Sequence, residues 1–90
     1  MNTKAKKKLV IVKGYPHDYL HKMMGDAKWS VRDEIARRIS PKILPLMMED
    51  EDELVRETVA GRIASEYLPL MMEDIIWGVR ETVAERINSK

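Results

Sequence analysis

Cysteine and phenylalanine are both absent from this chain of 90 residues. Without a thiol there is no disulfide scaffold, no cysteine nucleophile, no all-cysteine zinc site and no cysteine-held iron–sulfur cluster. Two histidines are the whole imidazole supply for acid–base or metal chemistry. No uninterrupted apolar run exceeds four residues, against the ~20 that a membrane-crossing helix needs. No apolar stretch of secretory-signal length follows the basic start, so a cytoplasmic protein is expected. The sequence also lacks a phosphate-cradling glycine loop, a nucleophile–base–orienter set and the histidine–glutamate zinc motif. Its acidic run has neither the alternating ligands nor the glycine of an EF-hand. These absences lead to the expectation of a non-enzyme with no catalytic residues, no cofactor, no metal and no small-molecule substrate.

Charge is abundant and unevenly placed. Sixteen basic and fifteen acidic residues nearly cancel. Residues 1–13 contain Lys4, Lys6, Lys7, Lys8 and Lys13 and no acid, which leaves the rest of the chain acidic. Glu49, Asp50, Glu51, Asp52 and Glu53 stand side by side. A lysine-rich start is ordinarily a solvated terminus. The functional alternative is a nucleic-acid arm made of Lys4, Lys6, Lys7 and Lys8. With no arginine or aromatic residue among them, these lysines would grip phosphate without reading sequence. The acidic remainder would oppose that grip.

The strongest feature is an internal repeat. Copies begin at Met23, Met47 and Met71, a period of 24, and the first two agree at 11 of 24 positions. The organisation read from this is a basic segment over 1–13, a degenerate partial repeat or cap over 14–22, and three tandem repeats over 23–90 (23–46, 47–70 and 71–90). Leu9–Val12 fits either a short strand or a degenerate repeat helix, and Gly14-Tyr15-Pro16 reads as a turn. Val31, Ile35 and Ile39 are four apart, as are Val55, Val59 and Ile63, and Val79, Val83 and Ile87. Each trio therefore lines one helical face, predicting helices at about 31–39, 54–64 and 78–88. Ala36, Ala60 and Ala84 follow the middle members and mark close approach of a neighbouring helix. Ser30 and Asp33 resemble a capping box, with Trp29 as the apolar flank before it.

The second half of each unit carries proline. Ser40-Pro41 suggests a cap followed by a first helical proline. Pro45 and Pro69 sit inside apolar stretches, where an α-helix would lose a hydrogen bond and clash. A short helix or a 3₁₀ turn starting near each proline is expected, with Leu44, Leu46, Leu68, Leu70 and the paired methionines closing the core. Elements this short bury an apolar face only by stacking. The expected fold is all-α, a short helical-repeat solenoid of 24-residue units that alternates α-helices with short or 3₁₀ helices.

A unit with Asp before a Val-Arg pair, then Ala, then Arg-Ile resembles the leucine-rich repeat variant family, a relative of HEAT-like repeats. The matching residues are Asp26, Val31-Arg32, Ala36 and Arg38-Ile39, with Asp50, Val55-Arg56, Ala60 and Arg62-Ile63, and Asp74, Val79-Arg80, Ala84 and Arg86-Ile87. The resemblance implies alternating α- and 3₁₀-helices in a right-handed superhelix. It brings no catalytic residues, and this chain lacks the cysteine cluster that one architecture of the family joins to its repeats. Broad relatives act mostly as interaction surfaces, and some act on DNA.

Function is therefore sought on the surface. The Asp26/Asp50/Asp74 and Arg32/Arg56/Arg80 columns suit a ladder of bidentate pairs along the stack, because an arginine in a first helical turn needs compensation. Arg38, Arg62 and Arg86, joined by Arg37, read as a solvated face or as a basic stripe for phosphate or an acidic partner. Asp33–Arg37 and Glu34–Arg38 pairs would weaken such a stripe. Trp29 and Trp77 either pack as apolar flanks or anchor an interface, with Arg32 and Arg80 able to lie against the rings. The methionines suit core filling better than a groove. His17 and His21 are four apart but lack an evident third zinc ligand. The expected function is a non-catalytic protein-interaction or assembly module using Trp29, Trp77, Arg37, Arg38 and Arg62. The last unit halts just after Ile87 without its closing half, so self-association through the exposed end is expected. Weak, sequence-nonspecific nucleic-acid binding is the alternative.

Overall fold

Residues 17–89 are described in a computed structural model, with side chains from Leu20 onward. Lys4, Lys6, Lys7 and Lys8, the strand-or-helix question at 9–12 and the turn at 14–16 lie outside the described residues. The order is α1 (His17–Met23), α2 (Trp29–Arg38), a 3₁₀ helix η1 (Leu44–Met47), α3 (Glu53–Arg62), a second 3₁₀ helix η2 (Ser65–Met71) and α4 (Trp77–Asn88). The described residues are all-α and contain no strand. None of their helices is long and apolar enough to cross a membrane.

Each long helix is launched by the same local device. The amides of Asp26, Asp50 and Asp74 donate to the carbonyls of Met23, Met47 and Met71, each closing a four-residue turn. Oδ1 of each aspartate then accepts the amide two residues on, from Lys28, Asp52 and Ile76, at 2.9 Å in all three cases. Such a side-chain turn replaces a backbone turn and fixes the direction of the next residues. The helix begins one residue later. The expected capping box is therefore corrected: Ser30 already lies inside α2, whose N-cap Lys28 makes no side-chain cap bond. A side-chain N-cap forms instead at α3, where Asp52 accepts from Leu54 and Val55.

The proline half-units follow 3₁₀ geometry. With three residues per turn, residues i and i+3 share one face, so Leu44 pairs with Met47 and Leu68 with Met71, and all four are buried. Leu46 and Leu70 fall off that face and are exposed, 66% and 70%. They do not close the core as the leucine pattern suggested. The second methionines differ as well, with Met48 half-buried and Met72 exposed. Ser40-Pro41 starts a turn rather than a helix: Ile43 donates to the carbonyl of Ser40 and Lys42 to its hydroxyl.

Packing joins successive elements. α1 lies against α2, α2 against α3 and α3 against α4, while η1 packs on α3 and η2 on α4. The extents are 46 × 21 × 17 Å, and the buried apolar side chains form one contiguous core. Ile35, Ile39, Val55, Val59, Ile63, Val79 and Val83 fill it with almost no exposure. Ala36 and Ala60 are buried where the next helix crosses.

Candidate interaction surface

The arginine columns are used first for structure. Arg32 reaches forward 18 residues to Asp50, with Nε 2.8 Å from one carboxylate oxygen and Nη2 3.0 Å from the other. Arg56 repeats the contact on Asp74 at 2.7 and 3.1 Å. The bond formed by Nη1 also recurs, from Arg32 to the carbonyl of Asp26, from Arg56 to that of Asp50 and from Arg80 to that of Asp74. The Arg32 and Asp50 side chains are 8% and 7% exposed, so each charge is withdrawn from water into a bidentate partner. Hydrogen bonding to Asp50 pushes the Arg32 guanidinium further above its ordinary value, and Asp74 does the same for Arg56. The Arg56 guanidinium, helped by the Ile76 amide, holds the Asp74 carboxyl below its usual range against the cost of burial.

The second arginine column does something the sequence did not reveal. Arg62 Nη1 donates to the carbonyls of Ala36 and Ile39, at 2.7 and 2.8 Å, across to the C-terminus of the preceding helix. Arg86 repeats this on Ala60 and Ile63. Carbonyls at a helix end lack intrahelical donors and carry partial negative charge, so each arginine caps the unit before its own. Arg62 is thus a structural clamp rather than part of an open basic stripe. The only signal for it was its constant placement 26 residues after a buried alanine. Arg37 pairs with Asp33, which also accepts from Thr58, and Arg38 pairs with Glu34. Thus all three arginines proposed for a binding face already hold protein acceptors.

The tryptophans are outside. Trp29 is 44% exposed and Trp77 67% exposed, each opening its helix at equivalent places. Glu53 fills that place at the head of α3. Beside Trp77 lies Ile75, exposed at 87%. Sequence reasoning passed over Ile75, although its counterparts Ala27 and Glu51 mark that position as one no core requires. Ile75, Leu70 and Met48 line a groove of about 430 Å³ whose floor is the Arg56–Asp74 pair and whose rim carries Glu49 and Glu51. A neighbouring hollow of about 230 Å³ sets Trp77 among Glu53, Glu57 and Glu81. Each hollow mixes apolar side chains with carboxylates. No family model, curated protein or solved structure matches this chain.

Among the described residues, no group of three or more histidine or acidic side chains could hold a metal ion. His21 is exposed on α1.

Proposed function

We propose that the chain is a non-catalytic helical-repeat module that binds a protein partner through the edge formed by Leu70, Ile75 and Trp77. The carrying observation is the exposure of Ile75 and Trp77, two residues apart in the chain, each in a hollow that also holds carboxylates. Large exposed apolar side chains cost solubility, and a tryptophan on a rigid helix start is a low-entropy anchor. The surrounding carboxylates would select a partner with lysine or arginine flanking an apolar segment. In this reading the recurring aspartate turns and arginine clamps make the chain a solenoid of 24-residue units, of the right-handed kind that the leucine-rich repeat variant resemblance implies.

The test is affinity capture with the intact chain beside Ile75→Ser and Trp77→Ala variants. Both sites are exposed, so unchanged thermal unfolding should verify the fold of each variant. A partner held by the wild type and lost by both variants supports the reading. A partner retained by both defeats it. The nucleic-acid alternative rests on Lys4, Lys6, Lys7 and Lys8, and predicts steeply salt-dependent heparin retention that disappears on deleting residues 1–8. Self-association through the same edge predicts a dimer in light scattering that Trp77→Ala dissociates.

A further inference from the structure

The groove that holds Ile75 is one half of a repeated feature. A second hollow, of about 390 Å³, lies between the turns that open α2 and α3 and is lined by Gly25, Asp26, Ala27, Arg32, Asp50 and Glu51. Moving each of these forward by one repeat of 24 gives Glu49, Asp50, Glu51, Arg56, Asp74 and Ile75, and all six line the groove between the turns that open α3 and α4. The two hollows share Asp50 and Glu51, so they meet in one trough along this edge. The Arg32–Asp50 and Arg56–Asp74 pairs are its floor. Both halves lie between successive packed helices, α2 on α3 and α3 on α4. Nor does Ile75 stand out for want of a further unit. Its counterparts Ala27 and Glu51 are exposed with another helix packed beyond them, and Leu46, the counterpart of Leu70, is 66% exposed in the same situation.

The positions that vary give the two halves different chemistry. In the first half Gly25 and Ala27 are small walls, and Glu51 supplies a carboxylate 88% exposed and 3.8 Å from Arg32. The second half holds Met48, Leu70 and Ile75. Arg32 and Arg56, the cations lining the trough, are each gripped by an aspartate, whereas Glu49, Glu51 and Glu73 are exposed. We infer that the trough binds an extended basic segment of a partner polypeptide. Its lysine or arginine meets Glu51, and a large apolar side chain settles on Met48, Leu70 and Ile75. Charge complementarity selects the occupant, since the trough offers exposed anions beside apolar surface while its own cations are engaged. Spacing selects the form. Packed helices stand about 8–10 Å apart, and the two half-troughs are separated by the same step. A polyproline II segment brings every third side chain to one face, about 9 Å apart, whereas a β-strand does so about every 7 Å. The cation and the apolar side chain are therefore three residues apart. The inference rests on the interaction-module reading and deepens it by naming the form and charge of the partner.

The probe is the peptide Lys-Pro-Pro-Leu-Pro-Pro-Lys, which proline holds in the polyproline II form and which has the same order from either end. It is titrated into the isotope-labelled full chain and followed by amide chemical shifts. The expected result is saturable shifts at residues 25–27, 49–51 and 73–75, with affinity weakened at least about fivefold by Glu51→Lys or Ile75→Ser. Both side chains are exposed, so the variants should melt with the wild type. Glu85→Lys makes the same change of charge outside the trough and should leave the affinity unchanged. The shorter peptide Lys-Pro-Leu-Pro-Lys, with one residue fewer in each gap, should bind more weakly. Absent or scattered shifts, affinity indifferent to Glu51→Lys and Ile75→Ser, or equal binding of the shorter peptide overturns the inference. An equal loss on Glu85→Lys overturns it too, since net charge alone would then attract the peptide. The capture assay is read separately. A captured partner lost on Ile75→Ser and Trp77→Ala, beside a peptide that fails, defeats this inference and leaves the module reading standing.

Discussion

The face of α3 that meets α4 and the outer face of α4 are built from nearly the same side chains in the same order, yet one is interior and the other surface. Val-Arg-Glu-Thr-Val-Ala occurs in both helices. In α3 its alanine has no exposure and its arginine holds a carboxylate, while in α4 the alanine is exposed and the arginine meets a single carbonyl. A helix of this pattern does not fix its own burial. Its neighbour does, by delivering an aspartate at one end of the contact and an arginine at the other.

That contrast can be tested by paired substitutions. The largest effect is expected from Arg56→Ala, which leaves the mostly buried Asp74 with only the Ile76 amide, at a cost of about 3 kcal/mol. For a domain of this size the corresponding fall in Tm is about 12 °C or more. Arg80→Ala should barely move Tm, and Arg37→Ala, which removes an exposed arginine and leaves Asp33 bonded to Thr58, should cost less than Arg56→Ala. Equal losses at Arg56 and Arg80 in thermal unfolding would break the comparison. Next comes Ala60→Leu, which overpacks the α3–α4 contact and should cost about 2 kcal/mol. Ala84→Leu adds the same atoms to an open face and should be close to neutral in the same denaturation series.

The smallest effect concerns acid. Asp74 has its folded pKa depressed by Arg56, so its contribution is fully present above the unfolded value of about 3.9 and is lost as pH falls through the lower folded value. Tm should therefore drop more steeply below about pH 4 in the wild type than in Asp74→Asn. The variant should start from a lower Tm at neutral pH. Parallel acid limbs for the two proteins would show that the Arg56–Asp74 pair contributes no proton-linked stability.

Much of the helix placement was legible because the relevant forces are local. β-branched residues four apart with Glu57 or Gly61 midway fit a helical face and not a strand face, where the midway residue would point the same way, and the helices lie within a residue or two of the expected spans. The Asp–Arg columns were legible as pairs, since a charge recurring beside every helix start must be compensated. Other readings failed where geometry finer than periodicity decided. Leu46 and Leu70 look like core leucines until the turn has three residues instead of 3.6. Ser30 looks like a cap until the Asp26 turn starts the helix ahead of it. The exposure of Trp29 and Trp77 was partly written in the repeat itself, because Glu53 at the same place shows that no core needs an aromatic there.

The amino-acid sequence by itself determined the all-α content, the position of each aspartate turn and the side chains that face inward. Each follows from contacts between residues a few positions apart, whose geometry any helix or turn imposes. Only the tertiary structure decided that Arg62 and Arg86 close the carbonyl end of the preceding helix, that Arg56 reaches forward to Asp74, and that Ala84 stays open where Ala60 is buried. Those outcomes depend on groups some 18 to 26 residues apart, brought together by the stacking of whole layers and by nothing in the local chain.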